Sequence, residues 1–313
     1  MAQESDTLEL PILGILNATI ELATPLLLAA LGEIFVERSG ILNLGIEGIM
    51  LVGAFAGFFG AFSTGNVAVG ILTGVLAGAL MGILMSLLSV KLGADQVVSG
   101  LAIWVFSIGL STFLSREILG AAPGTVTIKG LSEAPIPLLS EVPIVGQILF
   151  RHNVMTYITL ILTPILGIIL FKTSFGLKIR AVGENPKAAA TMGIDVYLTR
   201  YICVIFGGVM AGIAGSYLTL ARYHIWIEEV TAGMGWLALV VVIFGKRNPY
   251  RALVGAWLFG LIYALQYHFQ ISVPLIPYQF MLMLPYLAVI VLLLGLVGKE
   301  EAPAALGIPY ERG

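Results

Sequence analysis

Three glutamates lie inside strongly apolar stretches of the sequence: Glu21, Glu33 and Glu47. An ionisable side chain in a membrane span costs about 2.5–3.5 kcal/mol on insertion scales, so such residues usually face a cavity or a partner. Two glycines flank Glu47 in SGILNLGIEGIMLVGAF, which also contains Asn43. Because Gly-interrupted helices near the midplane mark the binding sites of transporters, the pattern predicts that Asn43 and Glu47 line a substrate pathway. The alternative is that both only form hydrogen bonds to a neighbouring helix.

Three further residues are weaker candidates for the same pathway. Trp104, in the middle of SGLAIWVFSIGL, offers an aromatic face, and Asn17 and Glu21 offer polar groups within the first apolar segment. Aromatic residues in apolar helices are more often part of the core. Two other tryptophans, Trp226 and Trp236, fall near a predicted membrane boundary, where the aromatic belt explains them.

Catalytic and metal-binding patterns are not found in the sequence. It contains no Gly-rich loop followed by Lys and Ser or Thr, so we expect that this chain does not hydrolyse ATP itself. No Ser/His/Asp or Cys/His arrangement is present, and the three histidines are scattered without a second ligand at metal spacing: His152, His224 and His268. The sequence therefore predicts a non-enzymatic protein with no cofactor and no metal site.

The sharpest local pattern lies in a basic segment between two apolar runs, at 172–200. Asn185 followed by Pro186 is typical of a helix N-cap and first turn, and Gly193 suits the position just after the last turn. The pattern predicts a short capped helix. Because isolated helices of this length are unstable in water, we expect a partner to hold it.

This short helix is predicted to be a docking element, since its residues are small and no apolar partner for it is evident in the chain. The docking element comprises Asn185, Pro186, Lys187, Ala188, Ala189, Ala190, Thr191, Met192 and Gly193. The alternative is an ordinary amphipathic helix on the lipid surface.

The composition shows what surrounds these residues. Hydrophobic residues make up 58% of 313 positions and charged residues 11%, with a mean hydropathy of +1.00. A soluble domain carries about 25% charged residues, so this chain must be solvated largely by lipid. Lys+Arg and Asp+Glu nearly cancel, at 16 and 18, which argues against a nucleic-acid surface. The acidic first ten residues argue against a secretory signal peptide.

A membrane helix needs about 20 mostly apolar residues, and about nine segments of this kind follow one another along the chain. They lie near 11–36, 40–62, 66–90, 94–115, 153–171, 197–221, 234–245, 251–270 and 278–298. The predicted fold is an all-α, polytopic transmembrane bundle in a single membrane domain over 1–313. The segment 234–245 is too short for a simple crossing, so we expect a broken or re-entrant helix there.

Basic residues set the expected orientation. With the first span running inward, 12 of the 16 Lys and Arg residues fall on one side, which predicts an external N-terminus and a cytoplasmic C-terminus. If 234–245 does not cross the membrane, the predicted orientation of the N-terminal half is inverted. The uneven distribution of Lys and Arg favours a crossing. The Pro- and Gly-punctuated segment 116–152 is then an external loop, with a short helix near Val145–Phe150.

Two spans carry faces of small residues at four-residue spacing. Such faces let helix backbones approach closely in lipid, so they predict tight helix packing. The alternative is that the faces slide during gating. The two faces comprise Gly70, Gly74, Gly78 and Gly82 in the third span, and Gly208, Gly212 and Ser216 in the sixth.

Several stretches resemble one protein family. ATPLLLAALGEIFVERSGILNLGIEGIMLVGAFAGF and PAALGIPYERG resemble the permease subunits of bacterial nucleoside ABC importers, a group shared with simple-sugar and branched-chain amino acid permeases. GENPKAAATMGIDV is similar to the coupling-helix loop of that group, and GGVMAGIAGSYL to the span that follows it. Many members begin with an extra inward-to-outward helix; we do not expect this helix here, which fits the predicted external N-terminus.

The resemblance implies a plasma-membrane importer with several partners. These are a second permease subunit, usually non-identical, an ATPase that hydrolyses ATP and engages the coupling loops, and a lipid-anchored substrate-binding protein. The sequence leaves open a sugar or branched-chain amino acid permease. It also leaves open a passive channel, or an ion-coupled secondary transporter in which Glu21 or Glu47 titrates.

Overall fold

A computed structural model describes residues 2–120, 126–272, 277–295 and 302–311, and these residues are mainly helical. Long apolar runs form helices because every backbone polar group must be satisfied internally in lipid. In chain order the helices are α1 (Ala2–Arg38), α2 (Ile46–Thr64), α3 (Val67–Ser86, continued by a π-helical turn to Lys91), α4 (Gln96–Leu119), α5 (Val145–Leu149), α6 (Val154–Lys172), α7 (Ser174–Glu184), α8 (Pro186–Thr191), α9 (Val196–Tyr217, continued by a π-helical turn to Tyr223), α10 (Met234–Phe244), α11 (Pro249–Ser272), α12 (Tyr278–Leu282) and α13 (Leu284–Gly295).

The predicted polytopic bundle is confirmed. Within the described ranges, seven helices are long and apolar enough to cross a membrane: α1, α2, α3, α4, α6, α9 and α11. Two shorter apolar helical stretches, Met234–Phe244 and Tyr278–Leu292, occupy the seventh and ninth predicted segments. The second segment differs at its start, because 40–45 is not helical and α2 begins only at Ile46. The end of the ninth segment, 296–298, and the terminal Gly313 lie outside the described residues.

Several helix ends meet at one end of the bundle. The Arg38 guanidinium donates hydrogen bonds to the carbonyls of Lys246 and Arg247, both at 3.2 Å, which joins the last turn of α1 to the end of α10. Arg247 also pairs with Glu37 at 2.5 Å, with both side chains buried. We call this the basic end; it carries Arg38, Lys172, Arg180, Arg200, Lys246 and Arg247.

The start of α9 lies at the basic end, where Arg200 Nε donates to the carbonyl of Ser39 at 3.2 Å. At the opposite end, Arg116 at the close of α4 pairs with Glu228 at 3.3 Å, soon after α9 has ended. The chain from 224 to 244 therefore returns across the bundle, half as irregular backbone and half as α10. This geometry agrees with the predicted broken crossing, and it explains why a helix of 11 residues suffices.

The two predicted small-residue faces pack directly against each other. A Cβ on Gly78 would lie 2.8 Å from the Cα of Gly212, and a Cβ on Gly208 would lie 2.7 Å from the Cα of Gly82. Helix α2 joins the same contact, because the Ser216 hydroxyl donates to the carbonyl of Gly53 at 3.1 Å. Backbone-to-backbone contact of α2, α3 and α9 thus forms a closely packed centre of the bundle, as expected for small residues in lipid.

The other face of α3 is exposed and apolar, with Leu72, Leu76 and Leu80 in a row four residues apart. A helix that buries glycines on one side and exposes leucines on the other lies at the perimeter of the bundle. The hydrophobic core is instead formed around α1, α2, α9, α10 and α11, with Leu26, Phe58 and Phe259 fully buried.

Candidate functional site

Glu47 lies in the first turn of α2, and its carboxylate receives hydrogen bonds from the start of α10. The donors are the Thr231 hydroxyl at 2.6 Å, the Gly233 backbone N–H at 2.9 Å and the Gly235 backbone N–H at 2.6 Å. The first N–H groups of a helix have no partner within the helix, and the helix dipole favours a negative charge there. Glu47 therefore supplies the cap of α10 from another helix, which makes a start in the interior of the bundle tolerable.

A cavity of about 160 Å³ opens beside this cap, and we call it the tryptophan cavity. The rings of Trp104 and Trp236 meet there edge to face, with centroids 5.7 Å apart. The structure thus brings together Glu47 and Trp104, two of the residues predicted for the pathway. The cavity is lined by Glu47, Leu51, Trp104, Ile108, Glu229, Thr231, Ala232, Gly233 and Trp236.

Trp236 was missed by the sequence reasoning, which placed it in an aromatic belt together with Trp226. That interpretation is wrong for Trp226, which is 3% exposed and packs edge to face on Phe55 at 5.0 Å. Trp236 lies beside Trp104 at the start of α10, in the wall of the tryptophan cavity. The irregular segment before α10 carries both tryptophans into the bundle, and the shortness of α10 was the signal that could have indicated this.

Asn43 lies in the non-helical connection between α1 and α2 and is fully buried. Its Nδ2 donates to the Glu33 carboxylate at 3.2 Å, and its Oδ1 accepts from the Gly45 N–H at 3.1 Å. The second bond is a local turn of the kind that Asn side chains favour before a helix. Asn43 lines neither the tryptophan cavity nor the second cavity, described next.

A second cavity of about 260 Å³ lies at the end of the bundle opposite the basic end. It contains the other two predicted pathway residues: Glu21 pairs with Arg222 at 3.1 Å, and Asn17 Nδ2 donates to the carbonyl of Gln147 at 2.7 Å. Burial lowers the pKa of His152 in the cavity wall, because desolvation disfavours the charged imidazolium. The cavity lining is strongly polar, with groups of both charge signs.

The predicted short helix is present as α8. The Asn185 side chain accepts from the Ala188 N–H at 3.0 Å, Pro186 occupies the first turn, and Gly193 has the left-handed φ of 82°. Both predicted caps are therefore confirmed. Helix α5, Val145–Leu149, likewise agrees with the short helix predicted near Val145–Phe150.

The prediction that this helix has no apolar partner in its own chain is wrong. Ala189 is 4% exposed and packs in a small cluster with Val182 and Val196. Val182 belongs to α7, a helix that the sequence reasoning missed, although Thr173 at its N-cap was an available signal. The exposed side of α8 is formed instead by Lys187, Ala188, Thr191 and Met192, and Met192 is 82% exposed.

Comparison with known proteins decides the family. A family model described as "Branched-chain amino acid transport system / permease component" matches residues 15–297. The chain belongs to this permease family. Its members are transport components of ABC systems rather than enzymes, and the expected resemblance is confirmed. The family assignment and the seven long apolar helices together make the chain a multi-pass membrane permease.

Three relatives of this permease share much of its length. It is 39% identical to the guanosine ABC transporter permease protein NupQ of Bacillus subtilis, over 96% of this chain and 97% of the relative. It is 38% identical to the nucleoside ABC transporter permease protein NupC of Lactococcus lactis, over 92% and 93%. It is 41% identical to the putative glucose ABC transporter permease protein TsgC13 of Haloferax volcanii, over 82% and 78%. No solved structure matches the permease.

Proposed function

We propose that this permease forms the translocation pathway of an ATP-driven importer of nucleosides. The observation that carries the proposal is the end-to-end similarity to the guanosine permease of Bacillus subtilis and the nucleoside permease of Lactococcus lactis. The sequence identity to the glucose permease is slightly higher, but that match covers a smaller share of both chains. A sugar permease is therefore the second candidate, and a branched-chain amino acid permease is the third.

Uptake into proteoliposomes tests the substrate. The permease is reconstituted together with the ATPase, the second permease subunit and the binding protein of its own transporter. We expect ATP-dependent uptake of radiolabelled guanosine or another nucleoside, and no uptake of glucose or leucine. Uptake of glucose without nucleoside uptake would assign the sugar class instead.

The tryptophan cavity supports nucleoside binding, because Trp104 and Trp236 offer flat aromatic faces beside polar groups and bases stack well on such faces. We propose that Trp104 and Glu47 border the substrate pathway at this cavity. Glu21 and Asn17 border the same pathway at the polar cavity, which lies at the end of the bundle opposite the basic end. Asn43 is assigned to the same pathway as a supporting residue, since its bonds to Glu33 and Gly45 hold the entry to α2.

Energy coupling is assigned to a partner ATPase that docks on α8 and hydrolyses ATP; this chain needs no cofactor. The substrate-binding lipoprotein and a non-identical second permease subunit complete the proposed complex. An ion-coupled secondary transporter is disfavoured because the carboxylates named for titration are already engaged. Glu21 is paired with Arg222, and Glu47 accepts three hydrogen bonds.

The proposed orientation places the basic end in the cytoplasm of the plasma membrane, as the positive-inside rule requires. Residues 1–313 then form one permease domain, with 116–152 outside and 172–200 inside. Cysteine labelling tests this in a Cys203→Ser background, which removes the single native cysteine so that only the introduced one can react. An impermeant maleimide should label Ser140→Cys in intact cells and Lys187→Cys only after permeabilisation; the reverse pattern would invert the orientation.

A further inference from the structure

The segment 302–311 crosses the basic end and is held there by backbone hydrogen bonds to separate elements. Ala305 N–H donates to the carbonyl of Gly183 at the end of α7, at 2.9 Å. Gly307 N–H donates to the carbonyl of Gly40 after α1, at 3.2 Å. The segment thus joins the region of the coupling loop to the α1–α2 connection, although these regions are far apart in sequence.

Arg200 in the first turns of α9 binds the same segment from the interior. Its side chain is 1% exposed, and it donates from Nη1 to the carbonyl of Ile308 and from Nε to the carbonyl of Ser39, both at 3.2 Å. A buried guanidinium is costly unless its donors are satisfied. The carbonyl of Ile308 is therefore part of what makes a buried Arg200 tolerable.

Tyr310 extends the contact to α8. Its ring packs against the cluster that contains Ala189, Val182 and Val196, and it meets the ring of Tyr197 with centroids 5.4 Å apart. The Tyr197 hydroxyl donates to the carbonyl of Tyr310 at 3.1 Å. A cleft of about 200 Å³ remains between Tyr310 and the turn that follows α8. The buried side of α8 thus packs partly against Tyr310, which lies more than one hundred positions later in the sequence.

We propose that 302–311 is a coupling strap: it positions α8 and transmits its movement to the connection between α1 and α2. The helix α8 has six residues and cannot keep its position by its own stability. Without Tyr310, the buried side of α8 would lose part of its apolar support, and a push by the ATPase would move α8 without moving the bundle. This inference rests on the proposed docking of the ATPase at α8.

The first test measures the position of α8 without any transport. In the Cys203→Ser background, Ala189→Cys is labelled with a maleimide in detergent. The labelling rate is compared among three proteins: one with the unchanged strap, one with Tyr310→Ala and one with Ile308→Ala. We expect Tyr310→Ala to accelerate labelling about tenfold, which corresponds to about 1.4 kcal/mol of local stability. Ile308→Ala is the matched control, because that side chain is 56% exposed and its backbone carbonyl is retained. Tyr310→Phe should restore the parent rate, since the hydrogen bond uses the backbone carbonyl.

The second test measures coupling in the assembled transporter. Substrate taken up per ATP hydrolysed is compared for the parent and Tyr310→Ala, with whichever substrate the parent carries. We expect ATP hydrolysis to continue and uptake per ATP to fall about tenfold. The proposal would be overturned if Tyr310→Ala left the labelling rate of Ala189→Cys unchanged, or if it left the uptake per ATP hydrolysed unchanged. A parent complex that carries glucose would overturn the nucleoside assignment and leave the strap result valid.

Discussion

The Glu47 carboxylate accepts a hydrogen bond of 2.6 Å from the Gly235 backbone N–H, which ties the first turn of α2 to the first turn of α10. The other end of α10 is tied to α1 through Arg38 and the carbonyls of Lys246 and Arg247. Helix α10 therefore runs from the tryptophan cavity to the basic end and is held by hydrogen bonds at both of its ends.

The first prediction concerns the cap of α10. Glu47→Gln replaces one acceptor oxygen by an NH2 group, so at least one donor among Thr231, Gly233 and Gly235 loses its partner. Hydrogen bonds to a charged group contribute about 1.5–3 kcal/mol each, so we expect a clear fall in thermal stability and a loss of uptake, with ATPase assembly retained. Glu229→Gln is the control, because Glu229 lines the same cavity with an exposed side chain. Equal melting temperatures for the two variants in detergent would refute the capping role.

The second prediction concerns the glycine contact between α3 and α9. Gly78→Ala adds a methyl group 2.8 Å from the Cα of Gly212, which no flexible side chain can relieve. Overpacking of this kind costs about 1–3 kcal/mol, so we expect a lower melting temperature and a lower yield of folded protein. Gly109→Ala in α4 is the matched control, since nothing lies within 4 Å of its added methyl group. The two variants are compared by size-exclusion chromatography and thermal unfolding.

The third prediction concerns substrate binding in the tryptophan cavity. Stacking of a base on an aromatic ring contributes about 1–3 kcal/mol, so Trp104→Ala should raise the substrate concentration for half-maximal uptake about tenfold. Phe106→Ala removes an aromatic ring from the same helix at a site that is 51% exposed, and it should leave uptake unchanged. If both variants match the parent, Trp104 does not contact the substrate.

The fourth prediction separates the two sides of α8. Ala188→Arg adds a long side chain on the exposed side, where we expect normal folding, weakened binding of the ATPase and loss of uptake. Ala189→Arg places a charge in the cluster with Val182 and Val196, so it should damage the local structure even without the ATPase. Met192→Leu is the conservative control on the exposed side. Purification of each variant with the tagged ATPase measures the association; normal ATPase binding by Ala188→Arg would move the docking surface elsewhere.

The sequence determined the features that depend on local pattern. Long apolar runs must become helices in lipid, so the helical bundle could be predicted from hydropathy alone. The small-residue faces of α3 and α9 and the caps at Asn185 and Gly193 could also be predicted, because spacing along one helix and the chemistry of a turn involve only neighbouring residues.

Only the tertiary structure decided which distant groups meet. Glu47 and its partner Thr231 are separated by 184 positions, and nothing near either residue indicates the other. Trp236 reaches Trp104 because an irregular segment enters the bundle before α10, and hydropathy does not distinguish that path from a surface loop. Ala189 is buried because α7, the start of α9 and Tyr310 converge on it. Contacts of this kind depend on the packing of several elements, which local propensity does not encode.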